Sequence, residues 1–298
     1  MKSCIATLTR GYTNIDHYSN LIKRNKHIEI HLTDKTIDIL IFHEGNITDI
    51  HQKYILNATP NLNIKFINIS DKAFKKEKAS VPFDKDTVKF GLGYRHMCSF
   101  WFIDFWHFIT DYDYLVRIDE DCFINSSIDN IFKQLNDHIF VSGMYRIDRP
   151  FVTKGLNNFT LSFIKSVQHK LPTKNKCVRI ECMFTKHADI KNNGGTHCCH
   201  ACKTANTHGP ACSKTIYYSK LSGGPYTNCI GINLNKIKEN VLFQTYKASI
   251  ESSNKIYEMR WGDLPIWGEA IYYIFGESTL FIDKTIQYFH ESHNKQVN

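Results

Sequence analysis

A chain of 298 residues, 42% hydrophobic and 13% aromatic, can bury a core without disulfide or metal staples, and its 20 Phe and 15 Tyr exclude intrinsic disorder. The formal net charge of +8 favours anionic partners such as nucleic acid, a membrane surface or phosphorylated substrates; it does not choose among them, and lysine enrichment alone gives the same figure. No run of about 18 apolar residues occurs and the N-terminal apolar stretch turns polar at Thr7, so neither a transmembrane helix nor a signal peptide is expected and the chain is assigned to the cytosolic side of membranes.

In chain order, residues 5–8 read as a short buried strand, and the spacing of Tyr18, Leu21 and Ile22 predicts a helix over 16–26. Residues 37–42 and 64–69 are two further apolar runs. Strand, helix and strand with polar loops between them are the pattern of an α/β unit with a parallel sheet. Residues 71–89 are charged and read as a loop; 94–109 form a strongly aromatic helix candidate. A strand over 112–118 ends directly in Asp119-Glu120-Asp121. A short helix over 128–135 and a strand over 140–145 follow. Residues 172–222 are polar and hold six of the ten cysteines, so they read as an insertion within one domain spanning 1–298. The core pattern resumes over 230–237, continues in a helix over 264–275 and closes in a strand over 279–282.

The sharpest local feature is the acidic triplet after the buried strand. In open α/β sheets ligands bind outside the carboxyl ends of the strands. Asp119 and Asp121, at i and i+2, straddle a tight turn and can converge on one hard cation. Such a cation bridges the phosphates of a nucleotide sugar and neutralises the leaving group. A solvated acidic turn accounts for the same triplet. The second feature is Arg260-Trp261-Gly262-Asp263-Leu264-Pro265. Here Asp263 is either the N-cap of the following helix or a carboxylate presented beside Trp261, whose ring could stack on a sugar.

These strings, with Tyr94-Arg95-His96-Met97-Cys98-Ser99-Phe100 and the opening Ile5-Ala6-Thr7-Leu8-Thr9-Arg10, resemble in order and spacing the fungal Golgi α-1,2-mannosyltransferase family. Those enzymes transfer mannose from GDP-mannose with retention of configuration. The resemblance implies a single GT-A domain, the nucleotide-diphospho-sugar transferase fold, with a mixed, mostly parallel sheet. It implies that Arg10 contacts the nucleotide or its phosphates, that Tyr94 and Arg95 lie in the donor site and that Arg117 is nearby. Asp119 and Asp121 take the positions of the family's acidic pair around Mn²⁺ or Mg²⁺, with the usual Glu-Pro-Asp replaced by Asp-Glu-Asp. Asp263 becomes the candidate base near the acceptor hydroxyl, and Trp261 lies on the acceptor side. His290, or its rival His293, completes the metal site; imidazole with carboxylates and phosphate oxygens suits manganese. The implied partners are a nucleotide-sugar donor and a glycan or glycoprotein acceptor, with no nucleic acid.

Two departures stand out. The stretch 229–237 lacks the acid that the family carries there; Asn235 or Lys236 stands at about its place. Same-face transfer is then easier to reconcile than a covalent glycosyl-enzyme. No counterpart of the family's membrane anchor is expected in this sequence. Within the insertion, Cys199, Cys202, His208 and Cys212 have spacing compatible with a structural Zn²⁺ site, while disulfides and free thiols remain open. Two other functions stay in view: a UDP-sugar-dependent transferase on the same fold, and a basic Cys/His module that binds nucleic acid or protein.

Overall fold

The computed structural model describes residues 1–167 and 222–294. The insertion, with Cys199, Cys202, His208 and Cys212, lies outside the described residues apart from Ser222, and so does the side chain of His293.

A seven-stranded sheet runs in the order β10-β6-β9-β4-β1-β2-β3. Its members are β1 (Ser3–Leu8), β2 (Asp38–His43), β3 (Asn63–Asn68), β4 (Tyr114–Ile118), β6 (Phe140–Ser142), β9 (Cys229–Asn233) and β10 (Leu280–Ile282). Only β9 runs against its neighbours, antiparallel to β4 and β6; the other pairings are parallel. Every residue of β2, β4 and β9 is buried, as expected of strands covered on both faces. At the edge, β3 alternates between half-buried and exposed positions, and its Lys65 pairs with Asp38 at 2.7 Å. Two small antiparallel ribbons complete the strands among the described residues: β5 (Cys122–Ile124) with β11 (Tyr288–His290), and β7 (Tyr145–Ile147) with β8 (Gly223–Pro225).

The helices in chain order are α1 (Ser19–His31), α2 (Asp49–Ala58), α3 (Leu92–Ser99), α4 (Ile128–Gln134), α5 (Leu156–Ser166), α6 (Asn235–Lys238), α7 (Val241–Ser253), α8 (Lys255–Met259), α9 (Asp263–Ala270) and α10 (Glu291–Asn294). The aromatic helix expected over 94–109 is broken. After α3 the chain makes a π turn at Phe100–Asp104 and a 3₁₀ turn at Phe105–Phe108. Indoles take up backbone carbonyls there: Trp267 Nε1 donates to Trp101 O and Trp106 Nε1 to Phe102 O, each at 3.1 Å. The strand expected over 140–145 also divides, because β6 belongs to the large sheet and β7 to a ribbon. The largest core cluster packs Phe100, Trp101, Phe102, Phe243 and Trp267 together. No helix among the described residues is long and apolar enough to cross a membrane.

Candidate active site

The site forms where β1, β2 and β4 end. Arg117, the fourth residue of β4, is buried and sits over the Trp101 ring at 4.3 Å. Its Nε and one terminal nitrogen donate to the two oxygens of Asp119 at 2.7 and 3.0 Å; the other donates to Asp263 Oδ2 at 2.5 Å. Burial works against the charged guanidinium, but Asp119 and Asp263 more than offset it and raise its pKa. Burial pushes the Asp119 carboxyl up against the pull of Arg117, and the nearby Asp263 and Asp121 carboxylates add to the rise.

Asp263 opens α9 as its first residue. Gly262 is the N-cap and no side chain caps the helix, so capping does not explain Asp263. Its carboxylate reaches across to β4.

Two hydroxyls hold the centre of the acidic turn. Thr9 Oγ1 and Tyr12 Oη donate to the Glu120 carboxylate at 2.6 and 3.1 Å, tying the loop after β1 to the turn after β4. Burial raises the pKa of Glu120, and these bonds only partly offset it. Asp121 points the other way. The antiparallel pairing of β5 with β11 sets His290 opposite Cys122, which brings His290 Nε2 to 3.2 Å from Asp121 Oδ1. Asn228 Nδ2 and Tyr226 Oη fix the other ring nitrogen at 2.7 and 3.1 Å. Burial pushes the Asp121 carboxyl up, but hydrogen bonds from His290 and Ser292 outweigh it and hold the group down at about 2.

Asp121, Cys122 and His290 offer ligand atoms within 4.8 Å of one another. Burial pushes the Cys122 thiol far up, so it stays protonated and ligates poorly. A carboxylate oxygen and an oriented imidazole remain, a donor set that suits a divalent cation. The expected convergence of Asp119 and Asp121 on one ion is not what the structure brings together, because both Asp119 oxygens face Arg117.

Beside the turn lies a cavity of about 460 Å³ lined by Thr9, Arg10, Glu44, Phe74, Tyr94 and Glu120. Arg10 is exposed in it, and Tyr94, 40% exposed, accepts a hydrogen bond from Arg260. Three sequence expectations need correction. Arg95 is fully buried, and its guanidinium donates to the carbonyls of Thr87, Phe90 and Tyr257, so it braces the loop before α3 and does not reach the cavity. Trp261 is only 2% exposed; its indole donates to Lys154 O at 3.0 Å and packs on Phe159, so it offers no face to a sugar.

Asn235 and Lys236 stand at the wrong end of the sheet. The antiparallel register pairs Ile118 with Cys229 and Tyr114 with Asn233, so β9 runs away from the site as the numbers rise. Asn235 hydrogen-bonds Asp113 before β4 starts, on the order of 13 Å or more from the acidic turn at about 3.3 Å per residue. The residues that this chain brings to the site are Tyr226 and Asn228, whose carbonyl also accepts from Asp119 N at 2.9 Å. No periodicity marks them; only the direction of β9 does. Arg260, which opens the second string, is buried at a positive φ of 60° against the Phe90 and Tyr94 rings and is paired with Asp148 at 3.3 Å.

No family model and no curated protein matches the chain. Among solved structures it is similar to the mannosyltransferase Ktr4p from S. cerevisiae, with 17% identity and a TM-score of 0.69 over 97% of this chain and 70% of that one. The same enzyme in complex with GDP gives 18% and 0.67 over 97% and 71%. Core-mannan synthase A (CmsA/Ktr4) from Aspergillus fumigatus, in a Mn/GDP form, gives 13% and 0.67 over 97% and 74%. At these identities the likeness speaks for architecture, and with the topology above it establishes that this chain has the GT-A glycosyltransferase fold.

Proposed function

We propose that the protein is a divalent-cation-dependent glycosyltransferase that moves mannose from GDP-mannose to a hydroxyl of a glycan or glycoprotein, forming an α-1,2 linkage with retention. The observation that carries the reading is the Asp121–His290 pair beside the cavity containing Arg10, at the strand ends where α/β sheets bind ligands. The solved relatives in this fold, one in a Mn/GDP form and one with GDP, support it.

Asp121 and His290 would hold the cation, which when bound supplies the charge that neutralises the departing diphosphate. Arg10 adds positive charge on the cavity wall. Arg117 fixes Asp263 through Oδ2 and leaves Oδ1 to orient the acceptor hydroxyl. The part of the chain entering β9 contributes Tyr226 and Asn228, neither of them an acid, which favours departure and attack on one face over a covalent enzyme intermediate.

The test is turnover. Purified protein is incubated with GDP- and UDP-sugars and Mn²⁺, with and without mannose-containing acceptors, and nucleoside diphosphate release is followed. GDP release from GDP-mannose, abolished by a chelator, is the expected result. Release from UDP-sugars alone would change the donor, and no release from any sugar nucleotide would end the proposal.

A further inference from the structure

Arg10 and the cation at Asp121 act on one diphosphate in the reading above, yet they stand on different segments of the chain. Arg10 lies in the loop after β1, exposed on the cavity wall, and Asp121 lies in the turn after β4. The strand ladder does not join the two segments. The register of β1 with β4 ends at Ala6 opposite Arg117, before either segment begins.

Each segment has braces of its own. In the loop, Thr9 N donates to Phe42 O at 3.0 Å and Tyr12 N to Tyr18 Oη at 2.9 Å. The loop also packs so closely on Asn46 that a Cβ at Gly11 would lie 2.3 Å from Asn46 O. In the turn, Asp119 N donates to Asn228 O at 2.9 Å and Cys122 N to Asp119 O at 3.0 Å. Just before it, Arg24 Nε donates from α1 to Ile118 O at 2.9 Å. Among the described residues, the hydrogen bonds between residues 9–14 and 119–121 all end on one group, the Glu120 carboxylate.

Both oxygens of that carboxylate are engaged. Oε2 accepts from the Thr9 hydroxyl at 2.6 Å and Oε1 from the Tyr12 hydroxyl at 3.1 Å, hydrogen bonds of the strong, charge-assisted kind. Thr9 and Tyr12 flank Arg10 and Gly11, so Glu120 grips the loop on either side of the arginine. Tyr12 is itself held, edge-on to the buried Tyr18 ring with centroids 5.1 Å apart.

We propose that Glu120 is a positioning residue: by clasping Thr9 and Tyr12 it fixes Arg10 relative to the cation site at Asp121, so that the two engage the donor's diphosphate as one pre-formed unit. The inference rests on the donor reading above. A loop that must be ordered by its ligand subtracts that ordering from each contact it makes, and a loop held in advance does not. Because both segments keep their own braces, loss of the clasp acts on affinity through Arg10 and leaves the fold and the cation site in place.

The experiment is a double-mutant cycle, read by calorimetric titration of GDP and UDP in saturating Mn²⁺. Arg10→Met is made in the wild type, in Glu120→Ala and in Thr9→Val/Tyr12→Phe, which loses the clasp but keeps every charge. In the wild type, Arg10→Met should weaken the bound nucleotide by about 10-fold or more, the low end for one hydrogen bond to a charged group. In both clasp-free backgrounds the same change should cost only about 2-fold, as for an exposed ion pair. Thr9→Ser keeps the hydroxyl and should keep the wild-type factor; Tyr12→Phe alone loses the longer bond and should give an intermediate one. A purely structural loss lowers the folded fraction alike with and without Arg10, so it cannot move this ratio. Where one background fails to fold, the others decide. Equal factors in the wild type and the clasp-free backgrounds, or no effect of Arg10→Met in the wild type, overturn the proposal while leaving the transferase reading intact. A wild type that binds neither nucleotide removes the donor reading, and this proposal with it.

Discussion

Glu269 lies on α9, six positions beyond Asp263, and is buried. Burial raises its carboxyl from 4.5 to about 7, against the pull of hydrogen bonds from Ser222, Thr160 and Asn157. The sign follows from linkage. A carboxyl whose folded pKa is raised binds its proton more tightly in the native state, so its contribution is fully present below pH 4.5 and is lost as pH rises to about 7. At about 1.36 kcal/mol per pH unit, the rise from 4.5 to about 7 corresponds to about 3 kcal/mol. Glu269→Gln keeps the shape and an acceptor oxygen but cannot ionise. Urea unfolding of both proteins from pH 4.5 to 8 reads the effect, and their difference cancels every other titrating group. The variant should be close to the wild type at the acid end and about 3 kcal/mol more stable relative to it at pH 8. Parallel stability curves would refute the reasoning, since they would mean that the carboxyl ionises alike in the folded and unfolded chain.

Asp121→Ala and His290→Ala should each abolish the Mn²⁺ dependence of GDP binding while leaving the circular dichroism unchanged, because neither side chain is part of the core; calorimetry with and without Mn²⁺ checks this. Asp263→Ala should lower kcat by about 100-fold or more, the lower end for a positioned acid–base group, with little change in GDP affinity. Enzyme incubated with donor alone should give no glycosylated peptide by mass spectrometry; a mannosylated Asp263 peptide chased by acceptor would overturn same-face transfer. Arg117→Met leaves the Asp119 and Asp263 carboxylates without their buried partner, so unfolding should show a loss of about 3–5 kcal/mol, partly restored by adding Asp263→Asn.

The sequence was most legible where one strand both packs and presents. The apolar runs of β1, β2 and β4 give themselves away by composition, and the acidic turn announces the end of β4. Legibility failed wherever meaning depended on direction or depth. Asn235 looked well placed because linear order cannot say that β9 runs antiparallel to β4. Trp261 and Arg95 are residue types used in both binding and packing, and only burial distinguishes the two uses. The helix α7 has Phe243, Tyr246 and Ile250 on one face, a helical spacing legible in the sequence. Glu120 was passed over as the middle of a triplet, yet its bonds to Thr9 and Tyr12 join the two loops.

The strand order also divides the molecule in time. The β1–β2 and β2–β3 pairings are made within residues 3–68, so that part of the sheet can nucleate from nearby chain. The other part waits on distant partners: Tyr114 must find Asn233, and Cys122 must find His290. Long loops of this kind delay pairing, because their closure entropy is lost before the contacts reward it. The imidazole beside Asp121 thus belongs to the late-forming part of the fold. A ligand that bridges the two would then act mainly as a brake on unfolding, with little influence on the rate at which the chain collapses.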